Sequence, residues 1–170
     1  MGRISLKPAV LIAIGGILLT AAYAGLGALQ ILVLNPLAAA PGLALHEIHA
    51  ALEAAGESVS PLPVVIFVGS GLLLSLGVWL YSTASSSASP QVAAVLVLLI
   101  LAFGAPAYFA ASFAGGMALA DAFAISGGDH SPWSNLLYLT SSAAFVSAIA
   151  LPVVLALRSR RVSLSPRPST

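Results

Sequence analysis

Two histidines and a glutamate in the first polar segment form the pattern with the clearest chemical meaning. His46 and His49 are three positions apart, and Glu53 follows His49 by four. Side chains at these spacings share one face of an α-helix. Imidazole and carboxylate groups are ordinary ligands of zinc and similar divalent ions. The stripe formed by these three residues therefore predicts a divalent-metal or small-ligand site, and we expect no other cofactor.

Two other interpretations of the same residues stand beside metal binding. A helix at a membrane interface needs a polar face, and these side chains would supply it without binding anything. Histidine side chains can also act as pH sensors, because the charge of an imidazole changes near physiological pH. The spacing is not the His-Glu-x-x-His signature of zinc proteases. His130, in a second acidic segment, would complete a metal shell if the two segments meet.

Catalytic chemistry has little support in the sequence. Asp129, His130 and Ser131 are consecutive, and sequence neighbours do not generally reproduce the converging geometry of a catalytic triad. Ser131 is better explained as a helix cap before Pro132. The chain has no cysteine, which excludes disulfides, thiolate metal sites and thiol catalysis. We therefore predict that the protein is not an enzyme.

The composition places most of the chain in a lipid bilayer. Its 170 residues are 59% hydrophobic and 6% charged, with a mean hydropathy of +1.06. Soluble domains carry about 25% charged residues, so a chain this poor in charge must have lipid against its surface. The net charge of +1 argues against a nucleic-acid partner, which would require a basic face.

Four long apolar stretches predict an all-α integral membrane protein with a four-transmembrane-helix bundle. Each approaches or exceeds the roughly 20 apolar residues that span a bilayer. A Ser-Pro pair precedes the last three stretches, and serine caps helices whose first residue is proline. Pro106 should kink the third span. The spans are about 8–34, 62–81, 91–120 and 133–157, in one domain of residues 1–157.

None of these stretches contains an Asp, Glu, Lys, Arg or His residue. Ionisable groups inside a membrane mark proton relays, ion-coupled sites and voltage sensors. The sequence therefore argues against a proton-coupled transporter or pump.

The segment after the first span predicts a short amphipathic helix over about 44–55. The loop begins at Asn35 and Pro36, a turn-forming pair. Apolar residues then recur at helical spacing from Leu45 to Ala55, and Gly56 should end the helix. The apolar stripe would lie on the bilayer interface or on the outer ends of the spans.

The distribution of charge predicts the orientation in the membrane. All six basic residues lie near the two termini, and the acids and histidines lie in the loops after the first and third spans. Lys and Arg residues near spans stay cytoplasmic. We therefore expect a multi-pass protein of a bacterial cell (cytoplasmic) membrane, with both termini cytoplasmic and the amphipathic helix in the first outer loop. Residues 158–170 predict a basic disordered tail that attracts anionic lipid.

Small residues recur along the spans, for example Gly16, Thr20 and Ala24 in the first. Such rows let helices approach closely in lipid, either within one bundle or against other membrane subunits and further copies of the chain. We expect an accessory or assembly subunit of a membrane complex. The alternatives are an outward-facing metal or small-ligand binding protein and an oligomeric passive channel.

Overall fold

The computed structural model describes residues 7–163, with side chains described as far as Arg158. The protein is all-helical, 81% helix, with no strand in the described range. Four helical segments are long and apolar enough to cross a membrane: Pro8–Ala39, Leu62–Ala84, Pro90–Phe123 and Ser134–Arg158. The prediction of an all-α membrane protein with four spans is confirmed.

The first span is longer than predicted and changes helix type near its end. It consists of α1 (Pro8–Leu29), a π-helical turn (Gln30–Leu34) and α2 (Asn35–Ala39). The predicted end at residue 34 and the predicted turn at Asn35 are therefore wrong. In the π-helical turn the Asn35 N–H donates to the carbonyl of Gln30. This wider turn shifts the hydrogen-bond register just before Pro36, which has no N–H, and the helix continues past the proline.

The second, third and fourth spans begin at or next to the residues that the Ser-Pro pairs predict. They comprise α4 (Leu62–Ala84), α5 (Pro90–Ala102), α6 (Gly104–Phe123) and α7 (Ser134–Ser163). At the start of α5, the Ser89 hydroxyl accepts from the Val92 N–H. Proline at the first position of this helix loses no hydrogen bond, because that N–H would have no partner in the helix.

Pro106 breaks the third span, as its position predicts. Phe103 separates α5 from α6. Proline cannot donate to the carbonyl four residues earlier, and its ring clashes with that carbonyl in a straight helix. The Ser141 hydroxyl of α7 donates to the carbonyl of Leu101 (2.8 Å), a group close to the break. The break thus becomes a contact point between helices.

The last helix ends later than the sequence predicts. The helix runs past residue 157 to Ser163, so the first part of the predicted disordered tail is helical. Arginine is a good helix former, and extending an existing helix requires no new nucleation. The rest of that predicted tail, residues 164–170, and Arg3 lie outside the described residues.

The first span lies at the centre of the bundle. α1 contacts each of α4, α5, α6 and α7, and its span is the most buried of the four. The small residues Gly16, Thr20 and Ala24 are buried in these contacts. The Ser75 hydroxyl of α4 donates to that of Thr20 (3.0 Å). This row of small residues therefore packs within the chain.

A short helix, α3 (Leu45–Ala54), connects the first two spans. Its apolar residues Ile48 and Leu52 are fully buried against Ala118 and Leu119 of α6. Gly56 follows the helix with a φ of +78°, a conformation that glycine adopts without steric cost. The sequence predicts that the apolar stripe of α3 lies on the bilayer interface or on the ends of the spans. The stripe packs on the end of a span, where it contacts α6.

Candidate functional site

The residues predicted to bind metal lie in two separate places. His46, His49 and Glu53 are exposed on α3. His49 and Glu53, together with Glu57, line a surface pocket of about 220 Å³. Among the residues that the structure describes, no three His, Asp or Glu side chains are grouped so that they could hold a metal ion. The metal site of His46, His49, Glu53 and His130 stays a prediction.

His130 fastens its own loop to the first span. Its backbone N–H donates to the Asn35 side-chain oxygen (2.7 Å), which also accepts from the Ser131 N–H (3.4 Å). The imidazole Nε2 lies 2.9 Å from the carbonyl oxygen of Ser126. The Ser131 hydroxyl accepts from the Trp133 N–H (3.5 Å), so it acts as a turn cap. The side chains of the three consecutive residues 129–131 thus have different partners.

Asp129 is held by two tyrosines from different spans. The Tyr108 hydroxyl donates to Oδ1 (2.6 Å) and the Tyr138 hydroxyl donates to Oδ2 (3.1 Å). Tyr108 is fully buried in α6, while Asp129 is exposed. A hydrogen bond to a carboxylate is stronger than one between neutral groups. The two bonds fix the position of the carboxylate at the loop end of the bundle.

Gln30 completes the polar contacts below this loop. Its side chain is fully buried, and its Nε2 donates to the carbonyl of Ser131 (3.3 Å). The other amide atom, Oε1, is buried without a hydrogen-bond partner in the described part of the chain. We call Gln30, Asn35, Tyr108, Asp129 and Tyr138 the loop-end cluster. It joins the π-helical turn, α2, α6 and α7 to the loop between α6 and α7.

Sequence patterns could indicate only part of the loop-end cluster. Gln30 and Asn35 are polar residues near the end of the first span, so they predict a shallow polar cavity there. No sequence pattern indicates that Tyr108 and Tyr138 contact Asp129. Tyr108 precedes Asp129 by 21 positions, and they meet because the loop folds back on α6. Gly116 permits that fold, since a Cβ there would lie 2.7 Å from the carbonyl oxygen of Gly127.

A second set of polar side chains connects three helices inside the membrane region through hydrogen bonds. The Tyr23 hydroxyl of α1 lies 2.9 Å from the Ser141 hydroxyl of α7, which donates to the carbonyl of Leu101 in α5. The Tyr23 ring packs against Gly104, where a Cβ would lie 2.6 Å from the ring. The hydroxyl groups of Tyr23 and Ser141 therefore form hydrogen bonds between helices of the bundle.

A lateral groove runs between α4 and the broken third span. One cavity of about 330 Å³ reaches the α5–α6 break, and a second of about 370 Å³ lies towards the start of α4. The two share Phe67, Ser70 and Ala107 in their walls. We call this continuous depression the α4–α6 groove. Its remaining polar side chains are Thr20 and Tyr23, at the α1 wall.

Comparison of the chain with protein-family models, with curated proteins and with solved structures found no match.

Proposed function

We propose that this protein is a non-catalytic accessory or assembly subunit that docks a transmembrane helix of another membrane protein in its α4–α6 groove. The observation that supports this proposal is the groove itself, which is apolar and lies within the spans. Lipid tails are as apolar as the helices, so association in a bilayer depends on close packing rather than on burial from water. A preformed groove provides that packing.

The shape of the groove suits a helix. On α4 it extends from Leu62 to Val78, which is about 24 Å at 1.5 Å per residue. This length covers most of a hydrocarbon core of about 30 Å. Ser70, Gly71 and Ala107 lie along its walls and would let a partner backbone approach closely.

The polar side chains of the spans support a role in assembly rather than in catalysis. Thr20 and Ser75 bond to each other, and Tyr23 bonds to Ser141. Tyr108 bonds to Asp129. An enzyme needs a nucleophile or base that is free to reach a substrate, whereas these groups connect helices to each other or, at Asp129, to a loop.

The proposed orientation follows from the basic residues. Lys7 Nζ donates to the carbonyl of Ser85 (3.3 Å), so the N-terminal end of α1 adjoins the loop between α4 and α5. By the positive-inside rule we propose that this end is cytoplasmic, in a bacterial cell membrane. The Leu62 end of the groove, α3 and the loop-end cluster then face outward.

Filling the groove should separate the protein from its partner. We expect Ser70→Phe to reduce co-purification of a stoichiometric membrane partner by at least about tenfold, which corresponds to about 1.4 kcal/mol. Ser70 lines both cavities, and its hydroxyl bonds only within its own turn, to the carbonyl of Phe67. Native membranes would be extracted as lipid patches, and the retained proteins would be quantified by mass spectrometry.

The matched control is Val65→Phe on the same helix. Val65 is 64% exposed and lines neither cavity, and it lies about 140° around α4 from Ser70, so this ring points away from the groove. The control should retain the partner at the wild-type level. Recovery of the wild-type protein with lipid alone, or as a homo-oligomer without another protein, would contradict the proposal. The passive-channel alternative stays a prediction.

A further inference from the structure

A small pocket lies beside Asp129, apart from the α4–α6 groove. Its volume is about 140 Å³, and it lies between α2, α6, the start of α7 and the loop between α6 and α7. The lining includes Asn35, Phe109, Ser112, Phe113, Asp129 and Tyr138. A space of this size admits a small functional group rather than a whole lipid or cofactor.

The pocket presents a carboxylate whose charge is not balanced by a neighbouring base. The two hydrogen bonds that Asp129 accepts come from neutral tyrosine hydroxyls. Within the range whose side chains are described, no salt bridge joins Asp129 to a Lys, Arg or His residue. An ionised carboxylate has about four acceptor positions, so it can accept further bonds from a cation.

Asn35 adds a second polar side chain to the lining of the pocket. Its side chain is 6% exposed, and its oxygen is occupied by the two loop N–H groups. Its amide nitrogen has no hydrogen-bond partner in the part of the chain whose side chains are described. The nitrogen is therefore free to donate to a hydroxyl or ester oxygen carried next to a bound cation.

Aromatic rings complete the environment of the carboxylate. The rings of Phe109 and Phe113 are 5.8 Å apart, and both side chains are more than half exposed. Tyr138 lines the pocket and donates to Asp129. Aromatic faces attract ammonium groups, most strongly where water is partly excluded. A carboxylate between aromatic side chains is a chemical environment that selects a small organic cation.

We infer that this pocket binds a primary ammonium group of the ethanolamine class. The ammonium bonds to the free acceptor positions of Asp129, and the neighbouring oxygen accepts from the Asn35 amide nitrogen. The same group is available from the headgroup of phosphatidylethanolamine or from a dissolved amine. The pocket lies towards the loop end of the bundle, where a lipid headgroup can reach it from the side of Phe109 and Phe113.

The test uses the full-length protein in nanodiscs of phosphatidylglycerol, with and without phosphatidylethanolamine. Native mass spectrometry counts the lipids that remain on the protein after mild delipidation. We expect wild type to retain phosphatidylethanolamine in preference to phosphatidylglycerol, and Asp129→Asn to reduce this preference by at least about tenfold. Asp121→Asn is the matched control, because Asp121 is an exposed acid at the end of α6 outside the pocket. It should behave as wild type.

A second arm identifies the source of the ammonium group. Ethanolamine is titrated onto the protein in pure phosphatidylglycerol nanodiscs and binding is measured by calorimetry. Saturable binding to wild type that Asp129→Asn abolishes supports the site with a dissolved amine as ligand. If Asp129→Asn does not fold, Ser112→Leu fills the pocket from α6 and leaves the carboxylate in place. Equal lipid retention and equal ethanolamine binding in wild type and the folded pocket variant would overturn the inference.

Discussion

Gly16→Leu should lower the free energy of unfolding by about 3 kcal/mol, whereas Gly15→Leu should change it by less than about 1 kcal/mol. A Cβ at Gly16 would collide with both methyl groups of Val97 in α5 and lie 3.3 Å from its Cβ. Valine has few χ1 rotamers, so the contact is relieved only if α1 and α5 separate. A Cβ at Gly15 would meet nothing within 4 Å.

The comparison of Gly15 and Gly16 isolates packing from helix propensity, because both substitutions replace a helical glycine with the same residue. Unfolding would be followed by circular dichroism and by the fluorescence of Trp79 and Trp133 during titration with sodium dodecyl sulfate in mixed micelles. Equal midpoints for the two variants would show that α1 does not pack on α5 at Gly16.

Asn35→Leu should release the loop that carries Asp129 and cost about 2–3 kcal/mol. The leucine removes the acceptor of the His130 and Ser131 N–H groups. Ser131 is buried, so its N–H would lose its partner without gaining water. A buried donor without a partner costs more than the net stabilisation of an ordinary hydrogen bond.

Amide hydrogen exchange would measure this release at single residues. We expect exchange at His130 and Ser131 to be at least about tenfold faster in Asn35→Leu. His130→Ala is the control, because it removes the imidazole and keeps the backbone donor to Asn35. Unchanged exchange at these two amides in Asn35→Leu would contradict the hydrogen bonds assigned to this asparagine.

Local patterns in the sequence were sufficient to predict the four spans. The apolar lengths identify the membrane helices, and the Ser-Pro pairs locate three helix starts. Ser89 shows the physical basis, because its hydroxyl accepts from the Val92 N–H. Pro106 predicts a distortion of the third span for a similar local reason, since one missing donor affects the preceding turn.

The unpredicted features depend on contacts between residues far apart in the chain. Asn35 and Pro36 resemble a turn in isolation, yet the helix continues through them to Ala39 after a π-helical turn. The Asn35 side chain then meets the loop at His130. The tyrosine partners of Asp129 likewise follow from how the spans pack, which hydrophobic periodicity does not encode.

The most direct test of helix docking is cysteine cross-linking in native membranes. The chain has no cysteine of its own, so each introduced thiol is unique. A short membrane-permeant reagent with a thiol-reactive group and a photoreactive group would be attached at Ser70→Cys in the groove or at Val65→Cys on the opposite side of the same helix. If a partner helix occupies the groove, Ser70→Cys gives a cross-linked product with one membrane protein, and Val65→Cys gives much less of it. Products that contain only lipid, only a second copy of this chain, or equal partner yields at both positions would contradict docking in the α4–α6 groove.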